Sequence, residues 1–241
     1  MVRDESQANL VWLRGRFEFG TTFSYRLPDA SSQFAIGAPI PSPAAVKLAL
    51  VASAIQEIGD PQSGARVLEV IRQCPVWFGL PSRIARFRAF IKRLKPKDSG
   101  GFLESTGMRD YFLFNSVFEI YLQVSESVAQ DIGDLLRRVR RFGTTDSLCW
   151  CHDVDFVEPA LERCAVPFRE RKNALTERDE FIMISLLDLN PDVTFELVNP
   201  YREGLHQGDP FVRVPYVLPL RLEASGGNWA LLTSPASSVS S

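Results

Sequence analysis

The sequence predicts an α+β fold, compatible with a ferredoxin-like antiparallel sheet carrying helices on one face. Three observations point there. Two segments have clear helical periodicity, Ser42 to Gly59 and Ser125 to Arg141. Runs rich in aromatic and β-branched residues precede, separate and follow them. The order strand, helix, strands, helix, strands belongs to α+β domains.

Leu10 to Phe19 alternates apolar with polar over its second half and stops at Gly20, as a half-buried strand does. Thr21 to Pro41 reads as a loop rich in Ser, Pro and Ala, long enough to suggest function or a partner contact. Ser42 supplies an N-cap, Pro43 a first residue that needs no N–H donor, and Gly59 a stop. Val46, Leu50, Ala54 and Ile58 form one stripe; Leu48, Val51 and Ile55 widen it, so this helix is expected to be buried on more than one side.

Ala65 to Gln73 suits a second short helix and Val76 to Leu80 a short strand. From Ile84 to Lys97 the chain suits a strand at its start, with Asp98-Ser99-Gly100-Gly101 as a turn. Tyr111 to Val124 reads as a strand or hairpin. In the second helix Ser127 and Gln130 have capping-box spacing, and four arginines crowd its end. Phe181 to Leu189 and Val193 to Val198 read as strands flanking an Asn190-Pro191 turn, and Phe211 to Leu222 as a strand region broken by Pro215 and Pro219. A single domain over 1–232 is expected, with a core over about 10–151, a β-rich part over about 152–232, and a Ser-rich disordered tail over 233–241.

Composition excludes some functions. The chain has 241 residues, 45% of them hydrophobic, and a net charge of −2, so any polyanion site must come from local charge. The longest apolar stretch, near Leu48 to Ile55, is short for a bilayer span, and residues 1–9 lack the apolar run of a signal peptide. A cytoplasmic protein with four free thiols and no membrane contact is the expectation.

Chemistry has few candidates. There are two histidines, His152 and His206, and no nucleophile elbow, HExxH or phosphate loop. Cys149-Trp150-Cys151-His152 lacks the usual two-residue gap, and on a strand His152 points away from both thiols, so no metal or cofactor is expected. Tyr25 with Arg26, or Tyr111 with Arg109, could serve a metal-free ribonuclease, yet nothing in their spacing selects them over packing, stacking or phosphate contact. The run Arg83 to Lys97 is different: seven cations in fifteen residues, with Phe87 and Phe90 interleaved and no acid. Two readings fit it, a phosphate-binding strip beside stacking surfaces or a solvated strand that protects a sheet edge.

The opening strand, then Phe23-Ser24-Tyr25-Arg26 and Ala38-Pro39-Ile40-Pro41-Ser42-Pro43, resembles the N-terminal signature of the Cas-five family of CRISPR RAMP proteins. Met108-Arg109-Asp110-Tyr111-Phe112 is similar to that family's Arg-Glu-Tyr-Leu stretch, and Arg141 to Ser147 to its glycine-containing segment after the second helix. In flavour the likeness is closest to subtype I-A or I-B, and it covers about Val11 to Cys151.

The resemblance implies a ferredoxin-like (RRM-like) core with a protruding β-hairpin thumb, near the position of the basic run. It implies a non-catalytic subunit of a type I interference complex (Cascade) that caps the 5′ handle of the crRNA. Backbone and large subunits would be its neighbours and target DNA an indirect partner. Arg86, Arg88, Lys92, Arg93, Lys95 and Lys97 would contact phosphate, with Tyr25, Arg26, Arg109 and Tyr111 behind them. A branch of subtype I-C cuts repeat RNA with a Tyr-Lys-His set; no histidine lies near the basic run here, so that activity does not carry over.

Overall fold

In the computed structural model, described for residues 9–31, 34–174, 180–200 and 208–234, the first strand, β1 (Leu10–Phe19), buries Leu13 and Phe17 on one face. The long loop that follows is not structureless. It forms β2 (Tyr25–Arg26), β3 (Phe34–Ala35) and β4 (Gly37–Ala38); β2 pairs with β4.

Helix α1 (Pro43–Ile58) starts as its sequence requires: Ser42 Oγ accepts the Ala45 N–H at 3.1 Å, and Gly59 ends it at φ 74°, where a side chain would be strained. Its buried residues span Pro43 to Ile55 and include Lys47. Helix α2 (Pro61–Ile71) begins before the expected Ala65, because Asp60 caps it through the Gln62 N–H and Pro61 takes the first position.

Next come β5 (Val76–Gly79), β6 (Arg83–Pro96), β7 (Phe102–Phe114) and β8 (Phe118–Ser125), then α3 (Glu126–Arg138) and β9 (Cys149–Phe156). The capping box expected at Ser127 and Gln130 does not form. Ser125 is the N-cap, its Oγ lies 2.9 Å from Ser127 Oγ, and Gln130 donates to Asp134 instead. The helix stops at Arg138, short of Arg141, because Val139 turns extended and is buried.

The C-terminal part holds β10 (Cys164–Pro167), α4 (Phe168–Arg171), β11 (Ile182–Leu189), α5 (Phe195–Val198), β12 (Phe211–Leu218), β13 (Arg221–Ser225) and β14 (Trp229–Thr233). The strand expected over Val193 to Val198 is a helical turn. Asn190 accepts the Asp192 N–H through its side chain and the Val193 N–H through its carbonyl, which curls the chain into α5. Pro215 lies within β12, and Pro219 makes the break. Thr233 closes β14 and Ser234 N–H donates to Ser82 O, so these two residues do not belong to the expected tail; residues 235–241 lie outside those described.

The main sheet runs β11-β12-β10-β5-β8-β1-β9. Its segment β5-β8-β1-β9 pairs antiparallel throughout, with α1 after the first strand and α3 after the third. That is the ferredoxin-like βαββαβ order. One continuous core joins this unit to the C-terminal strands, from Phe17, Leu50 and Ile120 to Leu186 and Tyr216. A second sheet, β13-β14-β6-β7-β3, is built on the β5-to-β8 connection.

Candidate nucleic-acid interface

A ferredoxin-like sheet offers its helix-free face to ligands, and here that face is already neutralised. Arg14 forks onto Asp155 (2.9 and 2.5 Å) and reaches Glu119 at 3.4 Å, Arg16 pairs with Asp153, and His152 with Glu18 at 2.8 Å. Four carboxylates face two arginines, a poor surface for a polyanion. The Arg16 fork also holds the Asp153 carboxyl below its ordinary range. Toward β5 the same face closes over Trp12, Tyr121, Cys164 and Val166.

Strands β6 and β7 form the hairpin that the basic run predicts, in register from Ile84↔Phe114 to Pro96↔Phe102. Gly100 and Gly101 turn it at φ 85° and 80°, conformations glycine adopts without strain. Strand β14 reaches β6 no further than Phe87, and β3 meets β7 at Met108 and Arg109. Residues 91–107 therefore pair only with each other, and none of those described is buried.

Alternation along β6 divides its cations between two faces, so the single docking strip expected of the run does not exist. Arg86, Arg88 and Lys92 share one face, and each meets a carboxylate. Arg88 Nε and Nη2 fork onto Asp110 at 2.8 and 3.1 Å, Arg86 approaches the same group at 3.9 Å, and Lys92 meets Glu104 at 2.7 Å. Asp110 is fully buried and also accepts the Gly37 N–H at 3.1 Å, tying the loop before α1 to the hairpin base. These arginines are structural at their guanidinium ends, although Arg86 Nε is buried with no partner.

The opposite face carries Arg83, Phe87 and Lys95 from β6 with Arg109 and Tyr111 from β7. Both carboxylates of β7, Glu104 and Asp110, lie on the first face, so the strands of the hairpin put no acid here; Asp98 lies in the turn. Phe87 and Tyr111 stack with ring centres 5.4 Å apart and planes at 19°. Arg109 is half-buried and its Nη1 has no partner; Arg83 is exposed and 3.8 Å from Glu223. Lys95 is exposed on the shaft and Lys97 at the turn, neither with a side-chain partner among the described residues. The side chain of Arg93 lies outside the described residues.

Away from the hairpin, Arg26 is exposed, while Tyr25 donates its hydroxyl to Ser42 Oγ at 2.7 Å; burial raises its pKa. Tyr25 thus supports the cap of α1. Phe90, Leu94 and Phe102 stand exposed on the Lys92 face near the tip. The arginines after α3 are largely engaged: Arg137 with Asp134, Arg138 with Glu57, Arg140 with backbone carbonyls. Among the described residues no group of three His, Cys, Asp or Glu side chains could hold a metal. Cys149 is buried, its thiol pushed up to about 12, and Cys151 Sγ donates to the Asp153 carbonyl. No helix among the described residues is long and apolar enough to cross a membrane. Sequence reading missed Trp229; Gly226-Gly227-Asn228 signals its turn, but nothing local says that β14 joins β6.

No family model matches the chain. Over 230 residues, 92% of this chain and 98% of the relative, it is 31% identical to the CRISPR-associated protein Cas5 of Archaeoglobus fulgidus. Among solved structures, a CRISPR protein from Archaeoglobus fulgidus is similar with a TM-score of 0.49 at 12% identity, covering 94% of this chain and 92% of that one. A chain of a CRISPR RNA-guided surveillance complex follows with a TM-score of 0.37 at 15% identity, covering 87% and 89%.

Proposed function

Since the chain belongs to the Cas5 family of CRISPR-associated proteins, we propose that it is the non-catalytic, cytoplasmic subunit of a type I interference complex that caps the 5′ handle of the crRNA. The hairpin is its thumb. The observation that carries this reading is the segregation of charge: cations on both faces of the thumb, carboxylates on one. On the thumb a sugar-phosphate chain meets cations free of the β7 carboxylates along Arg83, Arg109, Lys95 and the tip residue Lys97, and releases counterions there. The other face, with Phe90, Leu94 and Phe102 exposed near the tip, suits contact with the backbone and large subunits, and through them target DNA is an indirect partner.

Reversing Arg83 and Lys95 together to glutamate tests the assignment. Affinity for handle-bearing RNA should fall, and the slope of log K against log salt should drop by about 0.7 for each phosphate no longer neutralised. Lys92→Glu, on the carboxylate face, should change little. Equal affinity in all three proteins would remove the thumb face from RNA binding. Repeat RNA incubated with the chain in EDTA should stay intact; a unique cut would make the protein a metal-independent endoribonuclease. Supporting the non-catalytic reading, His152 sits on β9 against Glu18 and not beside the thumb.

A further inference from the structure

The C-terminal hairpin β13–β14 has no role in the reading above, yet it extends the same thumb face. Register places Trp229 of β14 opposite Phe87 of β6, and Phe87 opposite Tyr111 of β7. Directly paired residues of an antiparallel sheet share a face, so three adjacent strands each place one aromatic residue on this face: Phe87 and Tyr111 stacked together, and Trp229 with its indole leaning over Gly226 toward β13. Strands lie about 4.8 Å apart, close to the footprint of one ring per strand. Trp229 is exposed, Phe87 and Tyr111 are half-buried, and the reverse side of these strands packs Ile84, Phe112, Ala230 and Leu232 into the core. The platform is therefore rigid below and open above.

Its surroundings are cationic. One row further along the face lies Arg109; two rows the other way, Arg83 pairs with Thr233, which pairs with Arg221. Rows are about 7 Å apart, the reach of one nucleotide step. The acid near this row is Glu223, 3.8 Å from Arg83. Trp229 is also held in place: a Cβ on Gly226 would come within 2.4 Å of its Nε1, so the indole lies directly over that glycine.

We infer that Trp229, Phe87 and Tyr111 form a stacking platform for unpaired bases of single-stranded RNA, with Arg83, Arg109 and Arg221 taking the adjoining phosphates. This makes the C-terminal hairpin an RNA-binding element, and it rests on the thumb reading. Aromatic rings accept any base by its π-face, so the platform holds RNA without choosing sequence.

Two probes test it: a short single-stranded RNA copied from the CRISPR repeat, and an abasic strand of the same length. Trp229→Ala should bind the RNA about tenfold more weakly than the natural chain, the loss of one stacked base, while Trp229→Phe keeps most of the affinity. On the abasic strand all three proteins should bind alike and weakly. Should Trp229→Ala and Trp229→Phe both bind RNA as tightly as the natural chain, the platform is wrong and the thumb reading survives. If the natural chain binds neither strand, both ideas fall. Equal unfolding midpoints for the two variants tie any difference to stacking, since Phe preserves the apolar packing.

Discussion

Asp110 has no contact with solvent and answers to two arginines and one backbone N–H, so it is the residue on which the thumb base depends. Removing one partner of a buried pair strands the other charge, which costs about 3–5 kcal/mol. Lys92 and Glu104 are as close, 2.7 Å, but more than half exposed, and such pairs contribute about 0–1 kcal/mol. Asp110 is the buried partner and the Arg88 side chain is 32% exposed, so Arg88→Ala, which strands the carboxylate, should lower unfolding stability by about 3–5 kcal/mol in urea titrations, while Lys92→Ala stays within about 0.5 kcal/mol of the natural chain. A modest loss for Arg88→Ala would mean that Arg86 and the Gly37 N–H already hold the Asp110 carboxylate. The contrast also explains why Arg86 and Arg88 could not be assigned from sequence. Their alternation with Phe87 was visible, but the carboxylates that occupy them stand on β7, and only the Gly100-Gly101 turn sets that register.

Elements whose signals are local were legible, and those that depend on distant partners were not. Helix α1 is announced by Ser42, Pro43 and Gly59, all at its own two ends. Strand β14 gives no hint that it will join β6, nor β10 that it will extend the main sheet through β5. One such distant contact is the buried Lys47 of α1, whose Nζ donates to Asp188 of β11 at 2.7 Å and to the Arg72 carbonyl at 2.9 Å. Burial lowers the pKa of Lys47 despite the attraction of Asp188. The two partners differ in access to water, the lysine side chain being 1% exposed and the aspartate 23%. Asp188→Ala leaves an ammonium with no water, whereas Lys47→Met leaves a carboxylate that water can reach and that still accepts the Leu189 N–H. Asp188→Ala should thus be the costlier change. Its deficit should also shrink as pH rises toward the ordinary lysine value of 10.5, because the unfolded chain binds more protons there than the folded one. Chemical denaturation of both variants at pH 7 and pH 10 checks the order and the sign; a deficit that stays constant or grows with pH would show that loss of Asp188 does not strand a charged lysine.

At the scale of the molecule, folding and binding fall to different parts of the chain. One hydrophobic core holds the seven-stranded sheet and its helices together, and the distal thumb contributes nothing to it: the described residues from 91 to 107 are all exposed or half-buried and pair only with one another. That stretch nevertheless carries Lys95 and Lys97, cations with no carboxylate partner among the described residues. Joining Phe90 to its register partner Met108 through an Asn-Gly turn removes it and keeps the hairpin's register. The shortened chain should unfold within about 1 kcal/mol of the natural one, since the excised stretch buries no side chain in the core. Its affinity for single-stranded RNA should fall, its salt slope should drop by about 0.7 for each phosphate no longer neutralised, and the binding that remains should still depend on Trp229. Loss of folding would place part of the core in the thumb. Full RNA affinity in the shortened chain would confine binding to the hairpin base, leaving the tip, with Phe90, Leu94 and Phe102 exposed, to protein partners alone.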